Sequence, residues 1–208
     1  MPRRSNDALQ EQLAEARRHQ ILDAAVTVFA EKGFARATIK DVAHAAGIAD
    51  GTIYIYFENK TALLLGILNR LNESDQRPEH FEQGGDLDIE TFVRVYLRRR
   101  FKVMSDSSAV FQIVLSEVLV NKDLRELYMT QVIAPTFAVA EPFFRQLVEE
   151  GKVRPHDPAL SLRAISSMAL GLLLLRIMGD PYLEQSWDDI PDLLTNFILH
   201  GLGIEEIS

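Results

Sequence analysis

The sequence contains no cysteine, which excludes disulfide bonds and thiolate metal sites and suits a reducing cytoplasm. Its five histidines do not form the HxxxH or HExxH pairs of a zinc site, and the GxSxG, P-loop and GxGxxG motifs are missing. No local pair of carboxylates indicates acid–base chemistry. We therefore expect no metal, no cofactor, no catalytic residues and no enzymatic activity, although distant residues of a helical protein can still assemble a catalytic site.

Long apolar runs are also missing. The N-terminal segment MPRRSNDALQEQ lacks the apolar core of a signal peptide. The longest apolar run, Met168 to Leu175, is far shorter than the ~20 residues that span a bilayer, and Arg176 ends it. With 208 residues, of which 47% are hydrophobic and 25% charged, the chain is expected to be a soluble, cytoplasmic, globular protein that does not enter a membrane.

Helical periodicity dominates the sequence, and no segment shows the strict alternation of a β-strand. We predict an all-α fold of about nine helices, with an N-terminal three-helix domain followed by a C-terminal helical bundle. The polar segment 73–88, which contains Pro78 and two glycines, is predicted to be a loop. Pro135 and Pro142 are predicted to kink or split a helix over residues 123–150. The remaining predicted helices, apart from the two described next, span residues 14–31, 60–72, 89–104, 109–120, 159–178 and 188–202.

The segment 38–60, TIKDVAHAAGIADGTIYIYFENK, predicts two short helices joined by a glycine turn. Thr38 is a natural N-cap, and Asp41 three residues later completes a capping-box arrangement. Gly47 stands where a helix ends in a left-handed residue, and Asp50 is predicted to cap the second helix. Two capped helices joined by a tight turn form a helix-turn-helix, which presents its second helix to the DNA major groove. The segment therefore predicts binding to double-stranded DNA.

The same segment and its flanks resemble the DNA-binding domain of TetR-type transcriptional regulators. Four motifs carry the resemblance, in order over residues 17–68: FAEKGF, TIxDVAxxAG, GTIYxYF and KxxLL. The resemblance implies a helix-turn-helix DNA-binding domain over residues 1–60 and a ligand-binding and dimerisation domain over residues 61–208. It further implies a homodimeric repressor that binds a palindromic operator and is released by a small, mostly apolar effector. The alternative is a helical ligand-binding or interaction protein without DNA binding, against which the intact GTIY segment argues.

Eight residues are predicted to contact DNA, from their chemistry together with the resemblance. They are Thr38, Gly51, Thr52, Tyr54, Tyr56, Lys60, Arg17 and Arg18. Gly51 allows the backbone to approach DNA closely, and Thr52 offers a hydroxyl and a methyl group to a base. A partly buried position is the alternative for Tyr54. For Arg17 and Arg18 the alternative is a solvated charge pair on the first turn of a helix.

The net charge of −8 is unevenly distributed. Residues 1–60 contain eight Lys or Arg and eight Asp or Glu, whereas residues 61–208 contain fourteen and twenty-two. DNA binding depends on local cations within about a Debye length, roughly 8–10 Å, rather than on the total charge. The candidate local cations are Arg3, Arg4, Arg17, Arg18, Lys40 and Lys60. The predicted DNA-binding domain is thus neutral rather than basic, and we expect the acidic remainder to repel DNA elsewhere.

The C-terminal half is rich in large apolar side chains, which are typical of a plain core as well as of a ligand pocket. The resemblance favours an effector cavity among the middle helices. The predicted lining residues are Phe101, Met104, Phe111, Leu115, Tyr128, Val132, Phe137, Met168 and Leu172. The run from Arg98 to Arg100 is predicted to be mainly a solvated face. Arg176 is predicted to lie at a helix end near solvent, with an acidic effector or a buried carboxylate as alternative partners.

The last two predicted helices, 159–178 and 188–202, carry little polar surface. A helix of this kind must be covered on most sides, by its own domain or by a second chain. Because helix-turn-helix proteins usually read two half-sites, we predict a homodimer, and the resemblance implies that these helices form its four-helix interface. An ordinary monomer core is the alternative.

Overall fold

The computed structural model describes residues 3–74, 76–84, 87–154 and 156–202, and within these ranges it contains helices and no strand. The predicted all-α fold is therefore confirmed. Beside the α-helices there is a π-helical turn, Met129–Ile133, and a 3-10 turn, Trp187–Asp189. The helices are α1 Arg3–Lys32, α2 Ile39–Ala45, α3 Asp50–Ile53, α4 Lys60–Leu71, α5 Arg77–Gly84, α6 Ile89–Asp106, α7 Ser108–Val120, α8 Lys122–Tyr128, α9 Ala134–Glu149, α10 Pro158–Ile177, α11 Pro181–Ser186 and α12 Ile190–Leu202.

The chain forms two compact units. The first unit consists of residues 1–70 together with residues 112–128, and the second consists of residues 71–111 together with the chain from residue 129 onward. The first unit thus holds the helix-turn-helix, most of α4, and α8. The functional boundary after residue 60 that the resemblance implies stays a prediction.

The core of the first unit is built from α1, the helix-turn-helix and α4. Ile21 and Phe29 of α1 are buried, and the ring of Phe29 packs edge-on against Phe34 with centroids 5.2 Å apart. α4 contributes Leu63, Leu64, Ile67 and Leu68, all of which are at most 1% exposed. Helix α4 is therefore the central element of this unit, as its apolar stripe predicts.

The core of the second unit joins α6 to α12 and its preceding turn. Trp187 donates a hydrogen bond of 3.1 Å from Nε1 to the carbonyl oxygen of Phe101, and the two rings lie 5.0 Å apart. Asp192 of α12 accepts hydrogen bonds from Arg94 at 2.9 Å and Arg98 at 2.8 Å, both on α6. The apolar contact is thus supported by ion pairs at the edge of the same helix pair.

Several predicted boundaries are wrong. Helix α1 begins at Arg3 rather than near residue 14, because its first turns are polar and carry no apolar stripe to indicate a helix. Helix α5 lies inside the predicted loop 73–88, where Pro78 is tolerated as the second helical residue. The chain enters α9 immediately before Pro135 and continues helically through Pro142, so only the first proline marks a break.

Helix α10, Pro158–Ile177, agrees to within one residue at each end with the predicted apolar helix 159–178. By length and composition alone it is able to cross a membrane, and 17% of its most apolar stretch is buried within the protein. One such helix is weak evidence for a span. Asp157 caps its start by accepting from the amides of Ala159 and Leu160. Helix α11, which sequence analysis missed, is capped in the same way by Asp180.

Candidate nucleic-acid interface and effector cavity

Helix α2 begins with a complete capping box. Thr38 Oγ1 accepts a hydrogen bond of 3.1 Å from the amide of Asp41, and Asp41 Oδ2 accepts one of 2.9 Å from the amide of Thr38. Lys32 donates to Asp41 Oδ1 at 2.7 Å. These hydrogen bonds, first that from Lys32 and then those from Thr38, lower the pKa of Asp41 from 3.8 to about 2. The predicted capping role of Thr38 is confirmed.

The turn between α2 and α3 depends on Gly47. Its φ of 65° is left-handed, as predicted, and its amide bonds to the carbonyl of His44 at 3.1 Å. The next amide, of Ile48, reaches the carbonyl of Ala43 at 3.0 Å, which completes the Schellman pattern of a helix end. Gln20 of α1 donates to the carbonyl of Ala46 at 2.7 Å. Helix α1 therefore fixes the position of this turn.

Helix α3 and the residues that follow it have an exposed edge, formed by Gly51, Tyr54 and Ile55, and a buried side, formed by Ile53 and Phe57. Ile53 is fully buried and Phe57, which follows the helix, is 3% exposed. Tyr54 and Ile55 are 55% and 78% exposed, so Tyr54 is not part of the core. A Cβ on Gly51 would meet no atom within 4 Å, which leaves space for another molecule at that position.

The prediction that Asp50 caps α3 is wrong. The N-cap is Ala49, which makes no side-chain cap, and Asp50 is the first helical residue. A carboxylate in the first turn still interacts favourably with the amide end of the helix, so the residue type fits its position.

Arg18 and Lys60 hold the helices of this unit together. Arg18 donates to the carbonyl of Tyr56 at 3.3 Å, and its guanidinium lies 4.9 Å from the ring centroid of Phe57. The Lys60 ammonium donates to the carbonyls of Phe34 at 2.5 Å, Ala35 at 3.1 Å and Ala37 at 3.0 Å. Both cations therefore have structural roles, and their predicted contacts with DNA stay predictions.

All eight predicted DNA-contact residues lie in the first unit. Thr38, Gly51, Tyr54 and Arg17 are exposed, whereas Thr52, Tyr56, Lys60 and Arg18 are half-buried. Arg17 bonds only locally, to Gln20 at 2.9 Å, among the hydrogen bonds of the described residues. The side chains of Arg3 and Arg4 lie outside the described part of the structure. The predicted DNA contacts of all eight residues stay predictions.

The second unit contains a cavity of about 70 Å³ with largely apolar walls. Its lining comes from α5, α6, α9, α10 and α12. Of the residues that were predicted to line an effector cavity, Phe137 alone lines this one. The described lining residues are Arg77, Phe81, Phe92, Val93, Tyr96, Leu97, Thr136, Phe137, Ala140, Phe144, Leu162, Ile165, Ser166 and Ile198.

The other predicted lining residues lie elsewhere. Leu115 and Tyr128 belong to the first unit, and Phe101 packs on Trp187. Met104, Phe111 and Val132 are buried, whereas Met168 is 39% exposed and Leu172 is half-buried. Sequence analysis missed Arg77 and Phe81 because they lie in the segment predicted to be a loop. Arg77 and Phe81 are four residues apart, and Gly84 follows three residues later. This helical spacing places all three on the buried face of α5.

Two arginines of the second unit are buried, and one of them belongs to the run that was predicted to be mainly solvated. Arg100 is 8% exposed and donates to the carbonyl of Leu71 at 3.0 Å and to Glu73 at 3.1 Å, so the prediction of a solvated face is wrong for this residue. Arg77 is 6% exposed and donates to the hydroxyl of Tyr96 at 3.1 Å and to the carbonyl of Asn72. Two buried guanidiniums thus hold the backbone at the end of α4.

Arg176 lies near the end of α10, as predicted, but it is engaged within the second unit. It donates to Ser105 Oγ at 3.0 Å, and its guanidinium lies 4.4 Å from the ring centroid of Trp187. Across the described residues, no group of three or more His, Asp or Glu side chains is arranged to hold a metal ion.

Helices α10 and α12 leave apolar side chains uncovered. Of the twenty residues of α10, Leu162, Ala169 and Leu173 are buried. Met178 at its C-terminal end is 79% exposed. On α12, Leu193 is 52% and Phe197 60% exposed. A surface of this kind usually marks an interaction site.

Comparison with known proteins agrees with this architecture. Residues 21–67 match the family of bacterial regulatory proteins described as the tetR family. A fatty acid metabolism regulator protein of Bacillus subtilis is 50% identical over 48 residues, which are 23% of this chain and 25% of that protein. Curated relatives such as this one are matched over about a sixth to about a half of their length.

Two solved structures extend the similarity to most of the chain. The fatty acid degradation regulator FadR from Bacillus halodurans gives a TM-score of 0.74 at 25% identity, over 88% of this chain and 98% of that one. FadR from Bacillus subtilis in complex with stearoyl-CoA gives a TM-score of 0.67 at 21% identity, with the same coverage of 88% and 98%. Residues 21–67 thus carry a helix-turn-helix that matches the tetR family of bacterial regulatory proteins, and the fold of most of the chain is similar to that of a solved fatty acid degradation regulator.

Proposed function

We propose that this protein is a cytoplasmic, homodimeric repressor that binds a palindromic operator and is released by a small, mostly apolar effector. The observation that carries the proposal is the exposed edge of α3, which Ile53 and Phe57 anchor from below. The exposed Tyr54 and Ile55, beside a glycine whose Cβ position meets no atom within 4 Å, leave this edge free to contact a partner surface.

The operator contact follows from the chemistry of that edge. Inserted into the major groove, Gly51 lets the backbone approach a base edge, and Thr52 offers a hydroxyl. The hydroxyl of the exposed Tyr54 is proposed to donate to a phosphate. Two copies of this edge would read half-sites about 34–36 Å apart, or a multiple of this distance.

A second copy of the chain is proposed to pack against α10 and α12. Their uncovered apolar side chains include Met178, Leu193 and Phe197. An isologous pairing of the two helices would bury these side chains in a four-helix interface. A dimer is also what a palindromic operator requires, because each copy contributes one recognition helix.

The effector is proposed to bind in the cavity of the second unit. FadR of Bacillus subtilis was solved in complex with stearoyl-CoA, whose stearoyl chain is apolar, and this supports an effector with a largely apolar body. Ligand pockets usually measure about 300–1,000 Å³. A cavity of about 70 Å³ must therefore widen, which displaces lining side chains such as Arg77 and Tyr96. Because Arg77 also holds the carbonyl of Asn72, its displacement would disturb the end of α4.

This coupling gives the proposed mechanism of release. Helix α4 packs at the centre of the first unit, and the helix ends at Leu71. A change in the last turn of α4 would alter how the helix-turn-helix is held. Allosteric coupling of about 1–3 kcal/mol corresponds to a loss of operator affinity of about 5- to 150-fold.

Substitution of the exposed tyrosine tests DNA binding. Tyr54→Ala is expected to weaken binding to a palindrome from the chain's own genomic neighbourhood about tenfold or more, because a phosphate contact and ring packing are lost. Tyr182→Ala is the matched control, since Tyr182 is 74% exposed on α11 in the second unit. Gel shift measures affinity and native mass spectrometry the subunit count. Equal affinities of the two variants would refute the interface assignment.

A further inference from the structure

A cleft lies beside the effector cavity in the second unit. It measures about 140 Å³, and its lining from α5, α6 and their connection includes the exposed side chains of Leu87 and Val95. Phe92 and Tyr96 line both the cleft and the cavity. Their rings stack with centroids 5.9 Å apart and planes inclined by 27°. These two rings therefore separate the cleft from the cavity.

The two rings differ in how tightly they are held. Phe92 is buried, and its ring centroid lies 5.3 Å from that of Phe81 and 4.7 Å from that of Phe143. A Cβ on Gly84 would lie 2.3 Å from Phe92 Cδ2, so a glycine is required for the ring to sit there. Tyr96 is half-buried. Tyr96 is therefore the less confined member of the pair.

Among the described residues that line the two spaces, the permanently charged side chains are arginines. Arg77 lines the cavity and Arg99 the cleft, and no Asp or Glu of the described residues lines either one. Arg99 donates to Glu73, outside the lining, at 2.6 Å. Burial, and after it the positive charge of Arg99, lowers the pKa of His80, which also lines the cleft. The guanidinium donors of these arginines complement an anion, which at Arg99 would compete with Glu73.

We propose that the effector is a slender molecule with an apolar body and one anionic end, and that it reaches the cavity through the cleft and past the ring of Tyr96. The proposal rests on the effector function given above. The cleft of about 140 Å³ and the cavity of about 70 Å³ are each too small for a ligand of usual size, so the body occupies both once the ring has turned. The anionic end stays at the mouth beside Arg99, because the inner walls are mostly apolar.

Calorimetric titration of the full-length protein tests the chemical class of the ligand. The probes are decanoate, decan-1-ol and decyltrimethylammonium, which share a chain and differ in charge. Decanoate is expected to bind about tenfold tighter than decan-1-ol, because only the anion gains a charge-assisted hydrogen bond, and the cation is expected not to bind. Absence of decanoate binding, or equal affinity for the three probes, would overturn the proposal.

A pair of neighbouring arginines locates the anionic end. Arg99→Met is expected to weaken decanoate binding about tenfold. Arg98→Met is the matched control, because Arg98 is exposed on the same helix, is paired with Asp192, and does not line the cleft. Equal losses in the two variants would place the anion elsewhere and contradict the proposal.

Association rates test the access route. Val95→Trp narrows the cleft and is expected to slow decanoate association about tenfold in stopped-flow mixing, whereas Val120→Trp, 86% exposed on α7, is expected to leave it unchanged. If Val95→Trp does not fold, Leu87→Trp supplies the same obstruction. Unchanged association in the obstructed variant would exclude this route. These measurements contain no DNA, so their failure and that of the operator test are distinguishable.

Discussion

Arg100 of α6 donates a hydrogen bond of 3.0 Å to the carbonyl oxygen of Leu71, the last residue of α4. The last carbonyls of a helix have no partner within it, and a cation there also complements the helix dipole. Arg100 further donates to Glu73 at 3.1 Å, and Glu73 has a left-handed φ of 50°. The end of α4 is thus capped by a buried side chain of the helix that lines the cavity.

The first prediction concerns this cap. Arg100→Met is expected to lower the free energy of unfolding by about 2–4 kcal/mol, because it leaves a buried carbonyl and part of the Glu73 carboxylate without a donor. Unfolding in urea is followed by the fluorescence of Trp187, the sole tryptophan, which lies in the second unit. Arg98→Met, at an exposed ion pair, is expected to cost less than about 1 kcal/mol. Similar losses in both variants would show that Arg100 is not a structural cap.

The pKa of Glu73 supports the same assignment. Burial works to raise it, but the hydrogen bonds from Arg99 and Arg100 outweigh burial and hold the pKa below its ordinary value. A carboxylate with a lowered pKa stabilises the fold above its unfolded pKa, and this contribution is lost as the pH falls through the folded pKa. Acidification is therefore expected to weaken the cap.

The second prediction concerns the capping box of α2. The pKa of Asp41 is lowered from 3.8 to about 2, so its stabilising effect is complete above about pH 4 and disappears as the pH falls toward 2. The difference in urea midpoint between the wild type and Asp41→Asn is expected to shrink over this window. Far-UV circular dichroism measures both midpoints. Glu31→Gln, an exposed change in α1, provides the control, and a constant difference for Asp41→Asn from pH 5 to pH 2 would contradict the prediction.

Local chemistry made parts of the helix-turn-helix predictable from sequence. A threonine followed three residues later by an aspartate specifies a capping box within one turn, and Thr38 and Asp41 form it. A glycine after an apolar helical stripe specifies a left-handed end, and Gly47 adopts it. Both signals act between neighbours in the chain, so tertiary packing had little power to override them.

The cavity and the buried arginines depend on tertiary packing, and the sequence carries no local sign of them. The consecutive arginines Arg98, Arg99 and Arg100 are chemically identical, yet the last one alone is buried. Arg100 is buried because its guanidinium donates to the carbonyl of Leu71 at the end of α4. Helix α5 was missed for a related reason, since Phe81 is its one large apolar side chain and the rest of its buried face is Arg77 and Gly84.

The third prediction concerns Lys60. Lys60→Met is expected to lower the stability of the first unit by about 1–3 kcal/mol, because three backbone carbonyls lose their donor. Thermal unfolding followed by circular dichroism measures the loss, with Lys40→Met, an exposed change in α2, as the control. A variant as stable as the wild type would refute the structural role.

The same variant decides the predicted phosphate contact of Lys60. Each phosphate contact contributes about 0.9 to the slope of log affinity against log salt concentration. A slope smaller by about 1 in Lys60→Met than in the wild type would demonstrate a phosphate contact. An unchanged slope would show that Lys60 contacts no phosphate and bonds only to the three backbone carbonyls.

The fourth prediction concerns the proposed dimer. Phe197 is 60% exposed on α12, and in a homodimer Phe197→Asp would bury a carboxylate without a partner. We expect the dimer dissociation constant to rise about 100-fold or more, which corresponds to about 2.7 kcal/mol, and operator affinity to fall because one chain reads one half-site. Analytical ultracentrifugation at a series of concentrations measures the dissociation. Leu119→Asp, at a residue 66% exposed on α7, is expected to leave the dimer intact. A Phe197→Asp protein that sediments as the wild type does would exclude this face of α12 from the interface, because an unpaired buried charge cannot be accommodated at so small a cost.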